Sequence, residues 1–266
     1  MKKSFFRKCN NPLSSFALRI RAAFSVLAGK SWYYSKEVYA DHRITFSQEG
    51  EDGLLRRIFE HKQHGFYVDV GAHHPQRFSN TYLFYLRGWR GINIDPQPGA
   101  KALFDIIRSR DINIESGVSD VESELVYYAF NEAALNTFDS DIAATRVKNR
   151  DYFLVSQDKI KVRRLEHIMA HHLPEGQLID FLSVDVEGLD LQVLKSNDWI
   201  KYRPTFVLAE SLGLSNVYDA INSDLNSFMR HVGYSLFGKC VNTLVFIDSQ
   251  SPPRHEGLLY SSNELS

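Results

Sequence analysis

Only two cysteines, Cys9 and Cys240, occur in 266 residues. That excludes a disulfide framework and a multi-cysteine zinc site, and makes a reducing, cytoplasmic compartment the default. No run of about 20 apolar residues occurs, so no transmembrane helix is expected. A secretory leader is not expected either, because Arg19 and Arg21 interrupt the apolar run that starts at Phe16 and leave only Ala22–Gly29. Glycine is missing where dinucleotide binders need it. Gly71-Ala72-His73-His74-Pro75-Gln76 offers one glycine where G-x-G-x-x-G has three, and no G-x-x-x-x-G-K-[ST] segment is found. A pyrophosphate would lose its close approach to main-chain amides, so NAD and nucleoside triphosphates are disfavoured.

Acidic residues are absent from positions 1–36, which hold eight basic side chains; the rest of the chain carries 23 basic against 32 acidic ones. An acidic body excludes bulk nucleic-acid binding, which needs a basic face on the folded domain. Within the basic segment Phe16, Ile20, Ala23 and Leu27 recur at helical spacing, so residues 1–36 are the candidate for weak peripheral contact with an anionic membrane surface. Packing on the domain, or a frayed tail, is the alternative. Three regions are therefore expected: a basic N-terminal segment over 1–44, helical or loosely ordered; a domain over 45–250; and a flexible tail over 251–266, marked by Pro252 and Pro253.

From residue 45 onward, strand-like and helix-like patterns alternate. Gly65–Ala72 reads as a buried strand entering a glycine turn, Asn80–Arg87 as a helix stopped by Gly88, and Arg90–Asp95 as a strand that Pro96 and Pro98 forbid to continue. A helix over Ala100–Arg108 and strands over Ile112–Glu115 and Glu124–Phe130 follow. Residues 131–158 are polar and poorly patterned, and read as a surface insertion or lid. Next come Lys159–Arg163, a helix over Leu165–His172, a strand over Ile179–Asp185, a helix over Leu189–Lys195 and a strand over Thr205–Ala209. A helix over Ser223–His231 precedes a closing antiparallel hairpin, Tyr234–Lys239 with Thr243–Ile247. This order predicts an α/β fold: a mainly parallel sheet, helices on both faces, and a C-terminal antiparallel hairpin.

In such sheets ligands bind outside the carboxyl ends of the strands. The residues delivered there are Asp69 and Gly71, Asp95, Ser119 and Asp120, Asp185 and Glu187, and Glu210. A strand-end acid can also be an ordinary cap or turn former, but several in one crevice point to a site. A nucleoside cofactor without phosphates suits them. In S-adenosyl-L-methionine the amino-acid end would meet Asp69 and the Gly71 turn, the ribose diol Asp95, and the adenine edge Ser119 and Asp120. A charge-assisted hydrogen bond of the Asp95 kind is worth about 1.5–3 kcal/mol.

At this point the chain resembles a known family. Phe46-Ser47-Gln48-Glu49-Gly50-Glu51-Asp52, Gly65–His73, Ser79-Asn80-Thr81, Gly88–Pro96, Val118-Ser119-Asp120, Ser183–Gly188, Arg203-Pro204 and the strand reaching Glu210 are similar, in that order, to the FkbM family of S-adenosylmethionine-dependent methyltransferases. The similarity spans about residues 45–247. It implies a class I methyltransferase fold, a Rossmann-like three-layer sandwich, and usually O-methylation of a sugar, glycan or related natural product. It also implies that Asp69, Gly71, Asp95 and Asp120 contact the cofactor, with Gln48, Glu51 and Asp52 near its mouth. Asp95 stands where a glutamate is commoner.

Methyl transfer to a hydroxyl gains from a base. Asp185, Glu187 and His73 are the candidates, with Asn80 and Glu210 on the acceptor side. The competing reading makes Asp185 a turn support, Glu187 a helix cap and His73 a turn residue. Asp185, Glu187 and Glu210 could also offer oxygens to Mg²⁺; no metal is expected, because carboxylates so spaced are more often hydrogen-bonding partners. A non-catalytic methyltransferase-like scaffold is the rival from another class, and an NAD-dependent nucleotide-sugar enzyme the third reading.

Overall fold

A computed structural model describes residues 44–250. The expected basic segment and the tail from residue 251 lie outside the described residues. Among the described residues no helix is long and apolar enough to cross a membrane.

The main sheet has seven strands. The first three are β1 (Phe66–Val70), β2 (Arg90–Asp95) and β3 (Ile112–Glu115). Three strands discussed below, β4 (Gly117–Val118), β5 (Ser123–Phe130) and β6 (Leu154–Arg163), intervene. The sheet then continues with β7 (Phe181–Val184), β8 (Phe206–Glu210), β9 (Tyr234–Lys239) and β10 (Thr243–Asp248). Their order is β3-β2-β1-β7-β8-β10-β9. The first five run parallel, while β10 pairs antiparallel with both β8 and β9. The expected hairpin is therefore present, with its second strand inserted beside β8 and its first at the edge.

Every residue of β1 is buried, as a central parallel strand covered on both faces requires. The period of two divides them. Phe66, Val68 and Val70 join one apolar cluster with Leu165, Ile168 and Met169 of α5 (Leu165–His172) and Val193 and Leu194 of α6 (Asp190–Lys195). Tyr67 faces the other way, into a cluster of Leu55, Phe59, Phe84, Trp89 and Phe181. That second cluster is fed by α1 (Glu51–Ile58), which the sequence pattern had left unassigned, and α2 (Tyr82–Leu86).

Asp69 lies on the Tyr67 face, and the ladder sets it beside Asn93 of β2 and Ser183 of β7. A buried polar layer is therefore built into the sheet, and a single cation holds it. Arg108, fully buried just after α3 (Ala100–Ile107), donates from Nε to Asp111 at 2.8 Å. Its Nη2 donates to the Tyr67 hydroxyl at 2.8 Å and to Thr81 Oγ1 at 3.0 Å. Thr81 Oγ1 in turn donates to Asp69 at 2.8 Å. In the sequence Arg108 reads as an ordinary residue at a helix end; its role comes from tertiary contacts alone.

Residues 131–158 are not patternless in space. A 3₁₀ turn over Ala133–Leu135 leads into α4 (Ser140–Arg146), capped by the Asp139 carboxylate, which accepts from Asp141 and Ile142 amides at 2.8 and 2.9 Å. Strand β6 begins at Leu154, five residues before the Lys159 start expected from sequence. It pairs antiparallel with β5 and parallel with β4 in a second, three-stranded sheet. Both β5 and β6 carry polar residues on both faces, so neither alternates clearly.

Replacing Arg108 by leucine strands Asp111 and frees Thr81 from its donor. The expected cost is about 3–5 kcal/mol, the range for removing one partner of a buried ion pair. Urea unfolding of Arg108→Leu measures it, and a loss below about 1 kcal/mol would show that the layer is held otherwise.

Candidate active site

The strand order reverses between β1 and β7, and a cleft opens at the carboxyl ends there, as expected for a parallel sheet. It encloses about 760 Å³, open solvent at its mouth included. Its floor comes from strand ends: Val70 and Gly71, Ile94 and Asp95, and Asp185 with Glu187. Its far wall comes from the insertion, through Ala133, Ala134, Asn136, Thr137 and Phe138. Tyr127 of β5 packs its ring 4.9 Å from that of Phe138 and completes the wall.

Gly71 has φ 80°, and its amide donates to Ile94 O at 2.9 Å. A Cβ built there would sit 1.8 Å from the Asp185 carbonyl oxygen, so only glycine lets the β1 and β7 turns meet. Asp95 ends β2, and both its oxygens are engaged by main chain: Oδ2 accepts from His73 N at 2.7 Å and Oδ1 from Gln97 N at 2.8 Å. Each oxygen keeps a further acceptor position. Burial pushes the Asp95 carboxyl up to about 6, against those two amides. Burial likewise pushes Asp69 up to about 6, partly offset by Thr81 and Arg108.

Three non-glycine residues among those described have positive φ: His73 (53°), Phe78 (55°) and Glu187 (55°). All three line the cleft, which is where strained backbone tends to concentrate. His73 stacks on Phe78 with centroids 6.3 Å apart, and its buried Nε2 has no hydrogen-bond partner. Burial and the nearby Arg77 lower the His73 pKa to about 4, so the imidazole is neutral.

Asp185, Glu187 and Glu210 converge, with one carboxylate oxygen from each lying within 4.8 Å of the others. Burial and the neighbouring acids push Asp185 well above the ordinary range, and push Glu210 in the same direction. Glu210 Oε2 is sealed from solvent and has no partner. Glu187 alone meets a cation: its Oε2 accepts from Arg146 Nη2 of α4. The turn that carries these acids is supported by Asp190, whose carboxylate accepts from Val186 and Gly188 amides, each at 3.3 Å. Asp185 is therefore not the turn support, and Glu187 caps no helix, since α6 has no side-chain cap.

The other expected residues are placed unevenly. Gln48 lines the cleft and is exposed. Asp69 lies directly beneath, outside the lining. Glu51 is buried against Thr243, which donates to it at 2.9 Å, and Asp52 closes the preceding turn by accepting from Phe46 N and Ser47 Oγ at 2.7 and 2.9 Å. Asn80 donates to Ser183 Oγ at 3.0 Å. The structure does not bring Ser119 or Asp120 to the cleft. Ser119 N is tied to Arg163 O at 3.0 Å, and the Asp120 carbonyl accepts from Arg164 at 2.7 Å, because β4 turns this segment into the second sheet. Ser116 and Val118 line the wall in their place.

The methyltransferase FkbM domain matches residues 69–236, well over half of the chain. The chain belongs to the FkbM methyltransferase family. The match is shorter at both ends than the 45–247 span of the sequence resemblance, and leaves out Gln48, Glu51 and Asp52. No curated protein matches the chain. The mostly parallel seven-stranded sheet is consistent with a Rossmann-like methyltransferase fold. In this methyltransferase the residues absent from the sequence-based list include Tyr127, Gln97, Thr137 and Phe138 of the lining and Arg146 on Glu187. All but Gln97 belong to the second sheet or its insertion, where no periodic signal marks them.

The raised Asp95 carboxyl has a consequence for stability. The unfolded value is near 3.9, so between about 4 and 6 the folded chain binds the extra proton. Stability therefore falls as pH rises through that window, and the penalty is complete above it. Asp95→Asn removes this share. Relative to wild type the variant should gain about 2–3 kcal/mol between pH 4 and pH 7. Denaturant unfolding at both pH values reads it; a difference that stays constant with pH would refute the assignment.

Proposed function

We propose that this methyltransferase uses S-adenosyl-L-methionine and methylates a hydroxyl on a sugar, glycan or related natural product. The single observation behind this reading is the Asp95 carboxylate, placed at the end of β2 inside the cleft with acceptor capacity left on both oxygens. That is the donor-seeking group a ribose diol needs. The lining beside it fits an adenosyl group: Ile94, Val118 and Phe138 are apolar, and no phosphate-binding glycine loop is present at the first turn. A surplus of buried carboxylates suits a cationic ligand.

Bound there, S-adenosylmethionine would supply an electrophilic methyl group on a sulfonium. The chain's own residues supply position and proton handling. Asp95 holds the diol, and the Gly71 turn brings main chain close to the amino-acid end. Asp185 takes the acceptor hydroxyl proton, because a carboxyl raised by burial and neighbouring acids is a stronger base than an ordinary one. A cation arriving in the cleft lowers that carboxyl again and ionises it, so base strength and ligand binding are linked. The neutral His73 imidazole lines the same cleft with its Nε2 unpartnered, available to orient the hydroxyl. Glu210, raised by its own burial and by the acids beside it, keeps its proton next to the ionised Asp185. Positioning of this kind is worth about 7–11 kcal/mol in a displacement without a covalent intermediate.

Titration calorimetry with S-adenosylmethionine should show Asp95→Ala binding about 10–100-fold more weakly, the equivalent of 1.5–3 kcal/mol. Unchanged affinity would remove the ribose assignment. Labelled-methyl transfer into cell extract, with the product identified by mass spectrometry, should report a methylated hydroxyl. On that acceptor Asp185→Asn should lose about 10²–10⁴ in turnover; normal turnover would exclude it as the base.

A further inference from the structure

Three contacts from the insertion converge on two consecutive residues of the site. Arg146 Nη2 donates to Glu187 Oε2, while its Nη1 donates to the Leu135 carbonyl, so the guanidinium is held at both ends. Thr137 Oγ1 donates to the Glu187 carbonyl at 2.8 Å, and Thr137 is itself bridged to Tyr128 of β5. Next to it, Gly188 has φ 110°, and a Cβ there would lie 2.2 Å from Ile142 Cδ1 of α4. Side chains at 14% and 19% exposure make the Arg146–Glu187 pair largely desolvated. The insertion is thus fastened to the acid-bearing turn by side chain, main chain and packing together. A lid free to open would not be built so.

We infer that Arg146 is a positioning residue, which fixes the aim of the Glu187 carboxylate and makes Glu187 the member of the three-acid cluster that carries the negative charge. The groups facing Glu187 are Asp185 on its own turn, Asp190 from α6, Glu210 from β8 and Arg146 from α4. Arg146 is the cation among them. Three carboxyls crowded within 4.8 Å cannot all ionise. With Arg146 on one of them, the proton is left to Asp185 and Glu210. The arrangement gives three chemically similar acids distinct roles: Glu187 the fixed anion, Asp185 the exchangeable proton site, Glu210 its buried partner. This deepens the proposed reaction and rests on it only for the part Asp185 plays in catalysis.

The test is a ¹³C-carboxylate NMR titration of the full chain labelled in glutamate, with the Glu187 signal assigned by its loss in Glu187→Gln. Arg146→Gln should raise the Glu187 midpoint by more than one pH unit, and Arg146→Lys should restore most of the shift. An unchanged midpoint in Arg146→Gln overturns the inference. So does failure of both variants to fold, which would make Arg146 a structural residue. Calorimetry with S-adenosylmethionine at pH 7 in two buffers of different ionisation enthalpy gives the second readout. Arg146→Gln should release up to one additional proton per chain on binding, and Arg146→Gln with Glu187→Gln should not; equal release in both counts against it. If the wild type does not bind S-adenosylmethionine, the proposed function fails while the NMR titration still decides the role of Arg146.

Discussion

Negative charge gathered at the carboxyl edge of a parallel sheet is the constraint that shapes this protein. Asp69, Asp95, Asp185 and Glu210 end adjacent strands or leave them, and Glu187 and Asp190 follow within one turn. Each would be costly to bury alone. The fold answers each differently. Asp69 is reached through Thr81 from Arg108, Asp95 by two backbone amides, Asp190 by the amides of the turn it supports, and Glu187 by Arg146. Asp185 and Glu210 have no cation of their own and are left to hold protons. The distribution of partners is therefore also a distribution of chemical roles.

Much of this was legible in the sequence. Strand ends are punctuated by residues that cannot continue a strand, as Pro96 does after Asp95, and a buried parallel strand writes itself as an apolar run, as Phe66–Val70 does. Gly71 was legible as a turn, and its contact with the Asp185 carbonyl explains why no side chain can replace it. What could not be read was anything that depended on the second sheet. Leu154-Val155-Ser156-Gln157 belongs to a mostly exposed strand in which only Val162 is buried, so no apolar pattern marks it. Asp120 reads as a third strand-end acid because it follows the Ile112–Glu115 strand closely in the chain. In space β4 departs from the main sheet and takes Ser119 and Asp120 with it.

Arg108 and Arg146 share a reason for having escaped notice. An arginine near a helix end is usually solvated, and composition cannot distinguish that case from a buried guanidinium whose partners lie far away in the chain. Arg108 bonds Tyr67, 41 residues distant, and Arg146 bonds Glu187, also 41 residues distant. Tyr67 and Asp69 share a face because they lie two residues apart on β1, and the sheet order then sets Asn93 and Ser183 beside Asp69.

The three strained backbones round the cleft extend the same argument. Glu187 is held at φ 55° by the Thr137 hydroxyl on its carbonyl and by Arg146 on its carboxylate. His73 is held at 53° by the Asp95 carboxylate on its amide. In these two cases the strain is offset by a polar contact that also fixes a group facing the cleft. Relaxing the backbone would therefore release the site and not only the turn. His73 Nε2 and Glu210 Oε2 are buried without partners, beside an Asp95 carboxylate that keeps acceptor positions on both oxygens. Capacity left over in a rigid, buried, acid-rich cleft is the condition under which a cationic ligand and a hydroxyl can be recognised at the same time.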